Sequence, residues 1–201
     1  MVQERNEKLY RLVLTALMAA LCYVGYALLP ALSADGTKIH FGNAFVVLGA
    51  LLLGGGNGGL AGAVGLSLAD ILGGFAESAP RTFLTKLVIG LVVGLVAHRI
   101  AHLSEKHPAP YLLKWSAISA AAGLAVNCVF EPALKYVWYT LLFPNPDKAS
   151  AAIGALLALT TYATVINAVI NAIAAVVLYN ALRPVLQRSG LLLSVGKKKK
   201  S

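Results

Sequence analysis

Long apolar runs with few charged residues inside them dominate this chain of 201 residues. Hydrophobic residues make up 58% of the sequence and charged residues 12%, and the mean hydropathy is +0.75. A soluble domain has more polar surface than this composition supplies. One helix needs about 20 apolar residues to cross the hydrocarbon core of a bilayer, so the chain has room for about six spans. The sequence therefore predicts an integral membrane protein.

Proline and glycine segments divide the apolar runs into helices, and the runs lack the short alternation of a membrane barrel. We expect an all-α bundle of six transmembrane helices near residues 9–32, 43–54, 57–74, 82–103, 111–142 and 151–182. The expected division is an N-terminus at 1–8, a membrane domain at 9–185 and a basic tail at 186–201. The first run is too long for a signal peptide and has no small-residue cleavage site, so we expect it to be retained.

The charged loops predict the orientation of the bundle. If alternate loops are assigned to opposite faces, the second face has only Lys38, Arg81 and Lys148. The positive-inside rule then places both termini in the cytoplasm. Topology also explains the net charge of +9 without a nucleic-acid partner, while the lysines at the C-terminus favour contact with anionic lipid. The cations of the first face are Arg5, Lys8, Arg11, Arg99, Lys106, Lys114, Arg183, Arg188 and Lys197–Lys200.

No motif for catalysis or metal binding is present in the sequence. The glycines of 54–59 lack the Lys and Ser/Thr of a phosphate-binding loop, so the chain is not expected to hydrolyse ATP. There is no nucleophile elbow, no paired-histidine zinc motif and no Cys/His cluster. Cys22 and Cys128 lie in apolar stretches and are expected to be small core residues. We therefore expect neither an enzyme nor a cofactor or metal site.

Polar residues inside the last two helices form two stripes. Asn127, Glu131 and Lys135 recur at i, i+4 spacing, with Trp138 beyond them, and Asn167 and Asn171 follow Thr160 and Thr164 on a comparable stripe. An intramembrane charge costs at least about 2.5–3.5 kcal/mol, so Glu131, Lys135, Asp70 and Lys86 need partners, water or a ligand. Two facing stripes predict a pocket that opens away from the cytoplasm. The alternatives are mutual neutralisation of Glu131 and Lys135, and interhelical hydrogen bonding by the asparagines.

Two outer loops add polar groups to the rim of this predicted pocket. The segment Lys38–Asn43 leads into the second helix, and Glu77–Thr82 leads into the fourth. The alternative for the first segment is that its histidine is only an interfacial residue. The alternative for the second is that its residues only cap the fourth helix and complement its dipole. The full set of candidate ligand-binding residues is Lys38, His40, Asn43, Glu77, Arg81, Asn127, Glu131, Lys135, Trp138, Asn167 and Asn171.

Several motifs resemble a known family over residues 9–185. They are the small-residue pair Ala16 and Ala20, the stretch Ile39–Asn43, the glycine-bounded segments 49–54 and 58–62, and Asp70. Together with six helices, they resemble the substrate-binding S component of an energy-coupling factor (ECF) transporter. The resemblance implies a bacterial cell-membrane subunit that captures a vitamin in an outer pocket. It also implies a transmembrane T component that contacts Ala16 and Ala20, and two partner ATPases that use ATP.

The resemblance does not name one vitamin. No dedicated thiamine, riboflavin or biotin signature matches the polar residues, and the sequence is more similar to the subgroup of pantothenate, pyridoxine and hydroxymethylpyrimidine carriers. Among other classes, a stand-alone proton-coupled transporter would use Glu131 and Asp70, but no inverted repeat is evident. An enzyme using Glu131, His40 or Asp70 lacks catalytic spacing. A structural subunit would use the interior polar residues only for helix packing.

Overall fold

The computed structural model describes residues 2–28, 38–142, 151–192 and 195, with side chains from residue 7 and, in the last helix, from residue 154. The described residues form an all-helical bundle without a strand. A 3₁₀ turn, Ala76–Ser78, precedes the fourth helix, and π-helical turns, Leu95–Ile100 and Trp138–Leu142, continue the fourth and fifth. The six α-helices are α1 (Val2–Ala27), α2 (Gly42–Leu53), α3 (Gly55–Leu72), α4 (Ala79–Gly94), α5 (Ala109–Val137) and α6 (Ala151–Arg188).

The predicted all-α membrane bundle is confirmed, but several helix bounds were predicted wrongly. The first helix begins at Val2 and not at residue 9. In the described residues α1 ends at Ala27, and Pro30 lies outside them. At the other end, α6 continues through Pro184 to Arg188, beyond the predicted end at residue 182. A proline removes one hydrogen bond to the preceding turn, which a long helix that packs against its neighbours tolerates near its end.

Helix length and polarity divide the bundle into spanning and internal elements. Four described segments are long and apolar enough to cross a membrane: Glu7–Ala27, Ala76–Ile100, Ala109–Leu142 and Gly154–Arg188. In contrast α2 has 12 residues, which is about 18 Å of helix. Nearly all of α2 is buried among the other helices. Because α2 is so short, the segment that precedes it, Lys38–Phe41, lies within the bundle and has no helical hydrogen bonds.

Glycines bring the backbones of α2, α3 and α4 into direct contact. A methyl group at Gly90 would collide with the Gly59 backbone, and one at Gly94 would collide with Gly55. Gly58 has the same relation to the backbone of Ala50 in α2. Such close approach maximises dispersion contacts between membrane helices, where lipid supplies no hydrophobic force to join them.

Buried polar contacts close the end of the bundle where the α4–α5 connection and the end of α6 meet. Arg183 is buried, and its guanidinium donates to the carbonyl oxygens of Leu103 at 2.8 Å and Glu105 at 2.7 Å. His98 bridges the Ala50 carbonyl and the Ser104 hydroxyl, each at 2.9 Å. The assignment of Arg183 to the loop cations is therefore incomplete, because its charge binds two carbonyls of the α4–α5 connection.

We predict that Gly90→Ala destabilises the protein, whereas Gly56→Ala does not. The Gly90 methyl would force α3 and α4 apart, at a cost of at least about 1–3 kcal/mol. The matched control, Gly56, lies in α3, and a methyl group added there would meet open space. Thermal unfolding in detergent should show a lower midpoint only for Gly90→Ala, and equal midpoints would contradict the close α3–α4 packing.

Candidate functional site

Two asparagines of α6 hold the non-helical segment Lys38–Phe41 against the bundle. The Asn167 side chain accepts from the His40 backbone N–H at 2.9 Å and donates to the Lys38 carbonyl at 2.9 Å. One turn later, Asn171 accepts from the Ala44 N–H and donates to the His40 carbonyl, each at 2.8 Å. We call these two residues the asparagine clamp. The clamp binds backbone groups and not the side chains of another helix. The asparagines therefore do make structural hydrogen bonds, as the alternative to ligand binding held, but they make them mainly to a non-helical segment.

The asparagine clamp explains how an irregular segment can lie inside a membrane bundle. Non-helical backbone at membrane depth is tolerated only where protein satisfies its N–H and C=O groups. Here α6 supplies three of those bonds and a fourth to the first turn of α2, and the Phe41 N–H donates to the Gly25 carbonyl of α1 at 2.9 Å. The segment is thereby fixed between α1 and α6, with the side chains of Lys38 and His40 directed to the same cavity.

This cavity lies at the end of the bundle opposite Arg183, and five helices contribute to its wall. Its volume is about 50 Å³, which is room for a few water molecules. Most of its wall is polar, although it lies within a largely apolar chain. The lining residues are Tyr26, Lys38, His40, Asp70, Ser78, Arg81, Thr82, Lys86, Glu131, Lys135, Thr160, Ala163, Thr164 and Asn167.

An ion pair between α4 and α5 crosses one side of the cavity. The Lys86 ammonium lies 3.5 Å from Glu131 Oε2, which also accepts from the Asn127 amide at 2.9 Å. The Lys135 ammonium donates to the Thr160 hydroxyl of α6 at 2.7 Å. Lys86 and Lys135 are both buried. The two predicted stripes do face each other, and Lys86 of α4 adds a charge between them.

Asp70 of α3 anchors the opposite side of the cavity. Its two carboxylate oxygens accept from the Tyr26 hydroxyl at 2.6 Å and from the Thr82 hydroxyl at 2.5 Å. Lys38 lies over the Tyr26 ring, with its ammonium 4.0 Å from the ring centroid. Hydrogen bonding of both oxygens satisfies a buried carboxylate that would otherwise be costly in this environment.

His40 is held as a neutral ring in the segment before α2. Its Nδ1 accepts from the Gly42 N–H at 3.0 Å, and its ring packs edge-on against Tyr26 at a centroid distance of 4.8 Å. Burial lowers the pKa of His40 to about 3, and the nearby positive charge of Lys86 contributes to that lowering. Partial burial also lowers the pKa of Lys38, while the charge of Asp70 opposes that shift.

Arg81 contributes a buried guanidinium that the described residues only partly satisfy. Its side chain is 7% exposed, and its Nη2 donates to the Ser78 hydroxyl at 3.1 Å. The guanidinium lies 5.5 Å from the ring centroid of Tyr139. Its Nη1 has no hydrogen-bond partner among the described residues. An unpaired donor of this kind is costly, so it marks a place where a ligand would be stabilised.

Six of the eleven candidate residues line the cavity: Lys38, His40, Arg81, Glu131, Lys135 and Asn167. The other five lie outside the lining. Asn171 completes the clamp, Asn127 supports Glu131, and Glu77 accepts from the Tyr139 hydroxyl at 3.4 Å. Asn43 is buried in α2, and Trp138 is half-buried in the π-helical turn after α5.

Sequence reasoning missed Tyr26 as a lining residue. It follows the inward-facing Met18 and Cys22 at i, i+4 spacing, and that stripe was the available signal. Lys86, Asp70, Thr160 and Thr164 were noted as interior polar residues but were not included in the candidate set. The place of Asp70 and Lys86 in the wall depends on how α3 and α4 pack, which their own segments do not reveal. Thr160 and Thr164, in contrast, lie on the α6 stripe that the sequence already indicated.

Comparison with known families identifies the chain. The family model described as "ECF-type riboflavin transporter, S component" matches residues 6–184. The chain belongs to this family. No curated protein and no solved structure matches the chain. The resemblance to an ECF S component is thus confirmed, and the chain is a multi-pass membrane subunit of a vitamin transporter and not an enzyme.

We predict that Asn171→Ala destabilises this S component by about 1–3 kcal/mol, because it removes the Asn171 bond to the His40 carbonyl and one of the two acceptors of the Ala44 N–H. Asn57→Ala is the matched control, since among the described residues the Asn57 amide has only a 3.4 Å bond to the Leu53 carbonyl at the end of α2. Hydrogen exchange in detergent should show faster exchange of the Ala44 amide in Asn171→Ala alone. Unchanged protection of that amide would refute the clamp.

Proposed function

We propose that this S component captures a vitamin from the outer side of a bacterial cell membrane. In this proposal an ECF T component and two ATPases then deliver the vitamin to the cytoplasm. The observation that carries the proposal is the polar cavity formed by residues of α1, α3, α4, α5 and α6 and the Lys38–Phe41 segment. A membrane protein keeps buried ionisable groups where they serve a substrate or ion, since they are otherwise costly. The chain itself needs no cofactor, because ATP is used by the partner ATPases.

The proposed binding residues form two groups. Lys38, His40, Arg81, Glu131, Lys135 and Asn167 contact the ligand directly, with Asp70, Lys86 and Thr160 beside them. Asn43, Glu77, Asn127, Trp138 and Asn171 act from behind by orienting the wall and the rim. The division separates the eleven candidate ligand-binding residues into those that line the cavity and those that do not.

The identity of the vitamin rests on two different arguments. The description of the matching family names riboflavin. The sequence favours the subgroup that includes pantothenate, pyridoxine and hydroxymethylpyrimidine carriers. These vitamins, together with riboflavin, are the first ligands to test.

Orientation and partner contacts complete the proposal. The excess of loop cations at the end opposite the cavity supports cytoplasmic termini and an outward-facing cavity. On α1, Met18 and Cys22 face the core, whereas Ala16 and Ala20 are exposed. Exposed small residues on one helix permit close approach of a second membrane protein, which supports a T-component contact there.

The first test is native mass spectrometry of the gently purified S component, with fragmentation of any co-purified molecule. We expect a vitamin-sized ligand. Uptake of that ligand by cells should require coexpression of an ECF T component and its ATPases. Uptake without the ATPases would favour the proton-coupled alternative, and absence of both ligand binding and uptake would contradict vitamin capture.

We predict that the double substitution Ala16→Leu and Ala20→Leu blocks assembly with the T component but leaves vitamin affinity unchanged. Leucine side chains would separate the two helix backbones, while the cavity lies on the other side of α1. The matched control is Ala121→Leu with Ala125→Leu, an exposed i, i+4 alanine pair on α5. Co-purification of the tagged subunits measures assembly, and normal assembly of the α1 double variant would refute the contact.

A further inference from the structure

The charged groups of the cavity do not balance. Lys38, Arg81, Lys86 and Lys135 line it, against two carboxylates among the described lining residues. His40 adds no charge near neutral pH, because its pKa is lowered to about 3 by burial and by the charge of Lys86. The formal charge of the lining is therefore +2. An excess of positive charge in a low-dielectric site is unfavourable unless something negative enters it.

The two carboxylates that line the cavity already form hydrogen bonds or an ion pair with other groups of the protein. Asp70 accepts from two hydroxyls, and Glu131 accepts from Asn127 and pairs with Lys86. By contrast, Arg81 bonds to Ser78 through Nη2, and its Nη1 has no partner among the described residues although the residue is only 7% exposed. Arg81 also lies in the first turn of α4, where the helix dipole adds positive potential. The unsatisfied donor and the excess charge thus occur in the same cavity.

We propose that Arg81, together with Lys86 and Lys135, forms an anion-binding subsite, so that the vitamin carried by this S component bears a carboxylate or phosphate group. This inference rests on the proposed function, because it specifies the substrate of the same cavity. A guanidinium binds either oxyanion through parallel N–H donors, and the two ammonium groups neutralise the remaining charge. Ser78 binds one edge of the guanidinium, and the buried Nη1 is left as the donor for an anion that enters the site.

The size of the cavity fits an anionic group and not a whole vitamin. A volume of about 50 Å³ accommodates a carboxylate or phosphate group with little rearrangement. The rest of the vitamin requires the wall to open, whichever vitamin is bound. The anionic group gains charge-assisted hydrogen bonds with side chains that are already positioned, which limits the reorganisation that binding requires there.

The test compares matched pairs of probes that differ mainly in an anionic group. They are pantothenate with pantothenol, pyridoxine 5′-phosphate with pyridoxine, and riboflavin 5′-phosphate with riboflavin. Binding to the purified, ligand-free S component is measured by isothermal titration calorimetry in detergent. We expect an anionic probe to bind roughly 10- to 100-fold more tightly than its neutral twin, as for a hydrogen bond to a charged group. The preferred pair tells a carboxylate subsite from a phosphate subsite.

Variants connect this preference to Arg81. Arg81→Gln should remove most of the discrimination within the preferred pair, because it weakens binding of the anionic probe far more than binding of its neutral twin. Arg81→Lys keeps the positive charge but loses the parallel N–H donors of the guanidinium, so it should retain part of the discrimination between the two probes. The matched control is Arg99→Gln, because Arg99 is exposed and lies on α4's π-helical extension, away from the cavity. Thermal unfolding verifies that each variant is folded, and Arg81→Lys gives the test if Arg81→Gln does not fold.

The outcomes separate the two proposals. If a neutral vitamin binds as tightly as its anionic twin, the anion subsite is overturned and vitamin capture stands. If discrimination survives unchanged in Arg81→Gln, the assignment to Arg81 is overturned. If no probe binds and the purified protein carries no small molecule, the inference and the proposed function both fail.

Discussion

The structure depends on one constraint of the bilayer, which is that every backbone polar group at membrane depth needs a partner within the protein. The short helix α2 leaves Lys38–Phe41 without helical hydrogen bonds, and Asn167 and Asn171 of α6 supply them. This arrangement joins a weakly structured segment to the longest helix of the bundle. It also holds the segment between α1 and α6, where Lys38 and His40 line the cavity.

The cavity shows how a membrane protein can keep several charges buried. Asp70 has hydrogen-bond donors from α1 and α4, Glu131 has one from its own helix and one from Lys86 of α4, and Lys135 reaches across to α6. These contacts join α1, α3, α4, α5 and α6 at one end of the bundle, so the polar groups contribute to its packing as well as to its chemistry. Within the described part of the cavity wall, the guanidinium of Arg81 alone has an unused buried donor.

Much of this site was predictable from helical spacing, and the remaining errors of the prediction have a common cause. The i, i+4 stripes of α5 and α6 correctly placed Glu131, Lys135 and Asn167 around one space, because side chains four residues apart share a helix face. The same stripes also included Asn127 and Asn171, which lie outside the lining and bond to Glu131 and to backbone. Periodicity determines the face of a helix, but it does not tell a ligand contact from a structural hydrogen bond.

By itself the sequence determined that the chain folds in a lipid bilayer, that it is helical, and to which family it belongs. These conclusions rest on apolar run length, glycine and proline breaks and loop charges, which are local properties of the chain. The sequence also indicated that polar residues must gather inside the bundle. Only the tertiary structure decided that Lys86, rather than a residue of α5, pairs with Glu131 across the helices, and that Tyr26 and Asp70 close the other wall. Those contacts join residues 44 or 45 positions apart. Their formation depends on how α1 packs against α3 and how α4 packs against α5, and no local pattern in the sequence contains those distances.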